Sequence, residues 1–271
     1  LTCTPGGSSS GSGAAVGAGF VPVAIGSQVV GSLIRPSSFN ANYGFKPSFG
    51  AINREGAYFN LSQTALGTQA ASLTDAWTTA RVATRFAGGD PGHVGLTGEA
   101  ALPNAVAPPY LARFESAGWD RTSSEVKAKF DALLATLAKA GAPVASRRDD
   151  ARLEKFEHLM ASALDVTNGL CGYEARWPIS YYHRRDPGSV SENIAMRLED
   201  WNSITVNEYA VMLNKRNGMR AAQDALGHSF TALITLSAIG GSPVGLDTTG
   251  DPIFAVNSSI LGAPAINLPL L

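Results

Sequence analysis

The chain has 271 residues, of which 45% are hydrophobic and 16% charged, with 29 glycines and a net charge of -1. Globular domains usually carry about 25% charged residues, so this low share excludes a self-repelling, disordered chain. Near-zero net charge also removes the electrostatic case for a nucleic-acid partner or an anionic membrane.

Taken in chain order, the first 34 residues carry no charge, and ten of the glycines fall within the first fifty. This predicts closely packed, buried backbone, followed by a short buried strand over Phe20–Ile25. The longest apolar stretch, residues 14–26, contains Pro22 and falls short of the roughly twenty residues of a membrane-spanning helix. Residues 68–83 read as a helix and 87–109 as a Gly/Pro-rich loop. The next helix is marked by Thr122 and Glu125 as a capping box. An apolar stripe of Val126, Phe130, Leu133, Leu134 and Leu137 follows, and Gly141 is the stop. Another helix spans 149–167, with Leu153, Phe156, Met160 and Ala163 on one face. A further one starts at Thr205, boxed with Glu208, and ends near Gly227. Phe230–Leu236 reads as a buried strand, and residues 237–271 as loop plus the start of another strand. Strands alternating with helices define an α/β class.

Cys3 and Cys171 are too few for a disulfide framework or a zinc site and read as reduced thiols of a cytoplasmic protein. No metal or cofactor is expected. The Gly-rich opening fails as a P-loop, because no Lys precedes a Ser/Thr at the required place. It fails as a dinucleotide fingerprint, because it precedes the first strand. Gly7-Ser-Ser-Ser-Gly11 fits the G-x-S-x-G elbow of α/β-hydrolases, but any Gly/Ser tract fits that pattern easily. Ser124-x-x-Lys127 lacks the K-T-G and S-D-N companions of penicillin-binding enzymes. His93, His158, His183 and His228 sit in charged or loop contexts without a catalytic pattern.

A longer constellation accounts for the opening. Thr4-Pro-Gly-Gly-Ser-Ser-Ser-Gly-Ser-Gly13 is followed by Gly26-Ser-Gln-Val-Val-Gly-Ser32 and then by Gly44-Phe-Lys-Pro-Ser48. These three blocks resemble, in order and spacing, the PGGSSGGS, G-x-D-x-G-G-S and G-x-K-P-T segments of the amidase signature family. Asp75-Ala76, Phe230–Thr235 and Gly262-Ala-Pro-Ala-Ile-Asn-Leu-Pro269 extend the resemblance along the chain. It implies a single α/β domain over 1–271, with a mixed, mostly parallel sheet and helices on both faces. Within it, 1–80 would be the signature core, 85–230 a variable helical region, and 230–271 the late core strands.

It also implies hydrolysis of a small-molecule amide by a Ser–cis-Ser–Lys triad without metal or cofactor, with ester or carbamate cleavage and an inactive relative as alternatives. Ser32 would be the nucleophile, at the end of a strand and the start of a helix. Ser8, after a cis peptide at Gly7, would be the bridging serine, with Ser9 and Gln28 in support. Backbone N–H groups around Val29, Val30 and Gly31 would form the oxyanion hole. A homodimer is left open, and neither nucleic acid nor membrane is expected as a partner.

The sequence departs from the pattern in four places. No lysine precedes Ser8; the first, Lys46, matches the structural lysine of G-x-K-P-T. The chain is therefore expected to be an internal piece of a longer protein. Gln28 stands where the family has Asp, and Ile34 where it has Arg, with Arg35 one place later. Val30 replaces a glycine, which would be strained if that position needed a positive φ.

Overall fold

A computed structural model describes residues 2–57, 61–104, 106 and 110–271. Four strands form one sheet: β1 (Val23–Gln28), β2 (Tyr43–Lys46), β3 (Ala65–Ala70) and β7 (Ala265–Asn267), in the order β1-β3-β2-β7. Every neighbouring pair in it is antiparallel. A second sheet, β5 (Val144–Ala145), β4 (Leu111–Arg113) and β6 (Ala232–Ile234), is parallel. The α/β class holds, and the pairing within it has a simple cause. The crossover from β1 through α2 (Ile34–Phe39) to β2 makes those two strands parallel to each other, but β3 enters between them in the opposite sense.

The first strand begins three residues later than expected. It lies at the edge of the sheet; Ile25 within it is 59% exposed and Phe20, which precedes it, is 83% exposed instead of buried. Before it, the Ser/Gly tract forms α1 (Ser10–Gly17), which the sequence reading missed. Glycine is a poor helix former, but Gly13 and Gly17 let α1 close on Pro36 within α2 and Asn40 just after it. Between β1 and β3, Gly26 and Gly67 lie directly opposite each other. A Cβ on Gly67 would stand 2.9 Å from Leu33 Cδ1, and one on Gly26 would stand 2.8 Å from Ser9 Oγ. Gly67 therefore leaves a seat for the fully buried Leu33, the residue after Ser32, and Gly26 leaves room for Ser9.

The expected helix over 68–83 is a strand and then a helix. β3 takes residues up to Ala70, and α3 (Leu73–Ala87) starts after Ser72, whose side chain accepts from the Asp75 N–H. Pairing on both edges overrides the helix propensity of Ala, Leu and Gln in β3. Of the loop expected over 87–109, residues 105 and 107–109 lie outside the described residues. Ser123, not Thr122, caps α4 (Ser124–Lys139): its hydroxyl accepts from the Val126 N–H at 3.3 Å. Thr122 instead donates to the Gly118 carbonyl, and Glu125 pairs with Lys129.

The helix expected over 149–167 breaks into α5 (Ala151–Met160) and α6 (Ala163–Arg185). α7 (Glu192–Ser203) follows, and α8 (Val206–Gly227) carries the expected Thr205/Glu208 capping box with both bonds formed. The strand expected over Phe230–Leu236 shortens to β6, which is only half-buried. After it comes α9 (Val256–Leu261).

The main core joins α5, α6, α8 and α9 through Phe156, Met160, Leu170, Met219, Val256 and Ile260. The Val30 side chain packs against this core, so the loop carrying Ser32 rests on helices as well as on the sheet. Among the described residues no helix is long and apolar enough to cross a membrane.

Candidate active site

Ser32 lies in the loop between the end of β1 at Gln28 and the start of α2 at Ile34, half-buried. The hydrogen bonds of this loop account for its shape. Gln28 is fully buried, and its Oε1 accepts from the N–H groups of Leu33 (3.1 Å) and Ile34 (2.9 Å). Those are first-turn donors of α2 that have no partner inside the helix. Its Nε2 donates to the Ala255 carbonyl (3.2 Å) and to the hydroxyls of Ser258 (3.2 Å) and Ser259 (3.0 Å). One neutral amide thus ties β1, α2 and α9 together. It does so without the ion pair that an Asp at position 28 would need in order to be buried cheaply.

The carbonyls of the loop are held as well. The Val29 oxygen accepts from Gln63 Nε2 at 2.9 Å, and the Val30 oxygen from the Ser259 hydroxyl at 3.0 Å. In a trans peptide the N–H of the next residue points away from the carbonyl. Holding these two oxygens therefore aims the N–H groups of Val30 and Gly31 to the other side. Among the described residues no acceptor takes the N–H of Val30, Gly31 or Ser32. Val30 is not at positive φ, so replacing glycine brings no backbone strain there.

The Gly-rich opening is laid against this loop. The Gly7–Ser8 peptide bond is cis. On one side of Ser8 the Gly7 carbonyl accepts from Arg35 Nη2 at 2.7 Å. On the other, the Ser9 N–H donates to the Ser32 carbonyl at 3.2 Å, and the Ser9 hydroxyl to the Ser27 carbonyl at 3.4 Å. Ser8, which is exposed, is thus clamped at both flanks beside Ser32. Gly7 leaves no room for a side chain, since a Cβ would stand 2.6 Å from the Thr249 methyl.

Arg35 is buried and also donates to Thr249 Oγ1 at 3.0 Å. Burial pushes its guanidinium below the ordinary arginine value, and the nearby Asp251 carboxylate pushes it back up. The sequence reading noted Arg35 only as a shifted residue. Its partners Gly7 and Thr249, and the holders Gln63 and Ser259, were not found, because each reaches the loop from a distant part of the chain.

The Lys46 ammonium is engaged with carbonyls other than those of the Ser32 loop. Its Nζ is buried and donates to the carbonyls of Pro47 (2.9 Å) and Ala263 (2.6 Å). Burial, with a smaller push from Arg220, lowers its pKa to about 7. His93 packs edge-on against the Phe49 ring. Among the described residues no group of three or more His, Cys, Asp or Glu is placed to hold a metal ion.

The family model for amidases matches residues 1–250, so this chain belongs to the amidase family. Local identity is high to the A-subunit of the glutamyl-tRNA(Gln) amidotransferase of Chlamydia abortus. It is 55% over 56 residues, or 21% of this chain and 11% of that protein. The corresponding protein of Saccharolobus solfataricus is 53% identical over 62 residues, 22% of this chain and 13% of that one.

Among solved structures, an amidase superposes with a TM-score of 0.80 at 24% identity, covering 98% of this chain and 59% of its own. A bacterial aryl acylamidase of the amidase signature family gives 0.77 at 15% identity, covering 100% and 60%. A 6-aminohexanoate cyclic dimer hydrolase gives 0.77 at 20%, covering 99% and 62%. These likenesses establish the amidase-signature fold. The chain spans about 60% of the length of these structural relatives.

Proposed function

We propose that the protein hydrolyses carboxylic amides through an acyl-enzyme on Ser32. The observation that carries this reading is the loop itself. It presents Ser32 beside unpartnered N–H groups of Val30, Gly31 and Ser32, with Ser8 fastened against it. A serine hydroxyl attacks only when a base takes its proton. In this reading the Ser32 oxygen bonds to the amide carbon, and its proton passes through the Ser8 hydroxyl to a neutral lysine. The carbonyl oxygen gains charge and is met by the N–H groups of Val30 and Gly31, with Val29 holding their geometry through its carbonyl. Removing one such donor costs about 10²–10³ in rate. The proton then goes to the nitrogen, the C–N bond breaks, and the amine leaves. Water, deprotonated along the same route, cleaves the Ser32 ester and releases the carboxylic acid.

Lys46 is spent on two carbonyls, and among the described residues no lysine bonds to Ser8 or Ser32, so we place the base outside these 271 residues. That absence favours a second reading for the chain as it stands: fold kept, turnover lost. A fluorophosphonate probe, mapped by peptide mass spectrometry, separates the two. On the 271 residues alone no adduct is expected. On a chain extended by a lysine-bearing amidase segment before residue 1, an adduct at Ser32 is expected, lost in Ser32→Ala. An adduct at Ser9, or none on the extended chain, would sink the proposal. Amide, ester and carbamate analogues of one acyl group then rank the leaving groups.

A further inference from the structure

The orientation of the Val30 N–H depends on Gln63, and Gln63 is not anchored by the sheet alone. The residue before it, Ser62, is gripped by two helices. Its N–H donates to Glu174 Oε2 at 2.7 Å, and its hydroxyl donates to the other oxygen of the same carboxylate. The same hydroxyl accepts from Arg216 Nη1 at 2.6 Å. Glu174 lies on α6 and is further fixed by the Tyr209 hydroxyl at 2.9 Å; Tyr209 and Arg216 both lie on α8. Arg216 is 7% exposed and Gln63 is 1% exposed, so neither has solvent as a substitute partner. Nothing in the residues of β1 or α2 requires a carboxylate and a guanidinium at this spot. Yet together they fix both polar groups of Ser62 one residue away from the side chain that holds the Val29 carbonyl.

We infer that Glu174 and Arg216 are positioning residues for the oxyanion loop, acting through Ser62 and Gln63 on the Val29–Val30 peptide. The strut is directional. Release of Ser62 lets the Gln63 amide retreat, the Val29 carbonyl loses its donor, and the Val30 N–H turns with the same peptide plane. Charged hydrogen bonds are the stronger kind, which suits them to hold a small displacement fixed. The helical region would then set the aim of a catalytic donor it never touches.

This inference rests on the Ser32 reading for its meaning, but it can be tested without turnover. Amide ¹H–¹⁵N shifts of Val30 and Gly31 are measured in the 271-residue chain for wild type, Glu174→Gln, Arg216→Met and Gln63→Leu. The expected result is that all three variants move the Val30 resonance in the same direction, with thermal midpoints showing a folded chain. If Gln63→Leu moves it and Glu174→Gln does not, the strut ends at Gln63 and the inference is overturned. If Glu174→Gln fails to fold, Tyr209→Phe, which loosens the carboxylate by one bond, gives a smaller shift of the same sign; no shift overturns it.

On the extended chain, Glu174→Gln is expected to lower the limiting labelling rate at Ser32 about tenfold, while the probe's half-saturating concentration stays put. A change confined to half-saturation would instead mark Glu174 as a pocket residue and overturn the positioning role. Absence of labelling in wild type would tell against the proposed function alone, and the amide shifts would still decide this inference.

Discussion

The loop around Ser32 and the helical region differ in what holds their shape. Around Ser32 the buried polar side chains are mostly neutral amides and hydroxyls: Gln28, Ser37, Asn42, Gln63, Gln69 and Ser259. Each holds backbone atoms or another such side chain, so the shape of the loop is written in hydrogen bonds. In the helical region ion pairs are displayed, as in the Glu125–Lys129 and Arg152–Asp150 pairs, while Phe156, Met160, Leu170 and Met219 form an apolar interior, with Glu157 and Arg216 as buried exceptions. An apolar interior tolerates repacking and small losses. A hydrogen-bonded loop does not, because each deletion strands a buried donor or acceptor at about 1–3 kcal/mol. The two regions should therefore respond differently to substitution of equal size.

The largest effect is expected at Gly67, where a Cβ would meet the Phe45 carbonyl oxygen as well as Leu33. Gly67→Ala should cost about 3 kcal/mol or abolish folding. Urea denaturation measures it, and a cost below about 1 kcal/mol would show that the seat of Leu33 yields. Next comes Gln28→Asp, which restores the family's carboxylate without its arginine and should destabilise by about 3 kcal/mol. Adding Ile34→Arg should recover part of that loss, so a double-mutant cycle should give a favourable coupling of about 1 kcal/mol or more. Additive costs would refute the idea that Gln28 replaces a charge pair.

A third test uses Lys46. Its pKa is depressed to about 7 when folded and stands near 10.5 when unfolded, so between these values the unfolded chain binds more protons. Stability should then rise with pH through that window, by about 2 kcal/mol from pH 7 to 9, and be flat below pH 6 as far as this group is concerned. Denaturant midpoints at the two pH values should differ in wild type and converge in Lys46→Met. In the helical region the expected effects are smaller. Thr205→Ala removes the helix cap and should cost about 1 kcal/mol. Trp177→Ala, at a position 72% exposed, should change stability by less than about 0.5 kcal/mol. A large loss at Trp177 would break the contrast between the regions.

What could be read in the sequence follows the same division. The spacing of the three glycine-rich blocks leads to Ser8, Ser9 and Ser32, and the Ser9 N–H donates to the Ser32 carbonyl. The T-x-x-E pattern marks the helix start at Thr205 to the residue but lies one residue early at Thr122, where Ser123 takes the cap. The last three residues of β3 fall within the expected helix, since their strand character comes from β1 and β2 on either side and not from the residues themselves. α1 was missed because its glycines serve contacts with Pro36 and Asn40. The partners of Ser62 lie 112 and 154 positions away, beyond the reach of any periodicity or motif.

Gln28 has one more consequence, for acid tolerance. A carboxylate at the hub of the loop would gain a proton as the medium is acidified, turning an acceptor of two N–H groups into a competing donor. An amide has no such transition. The contacts of Gln28 with Leu33, Ile34 and Ser259 should therefore keep their form in acid that would loosen a hub built on aspartate. The lower pH limit of the protein would then be set elsewhere in the molecule, and the shape of the loop around Ser32 would outlast its chemistry.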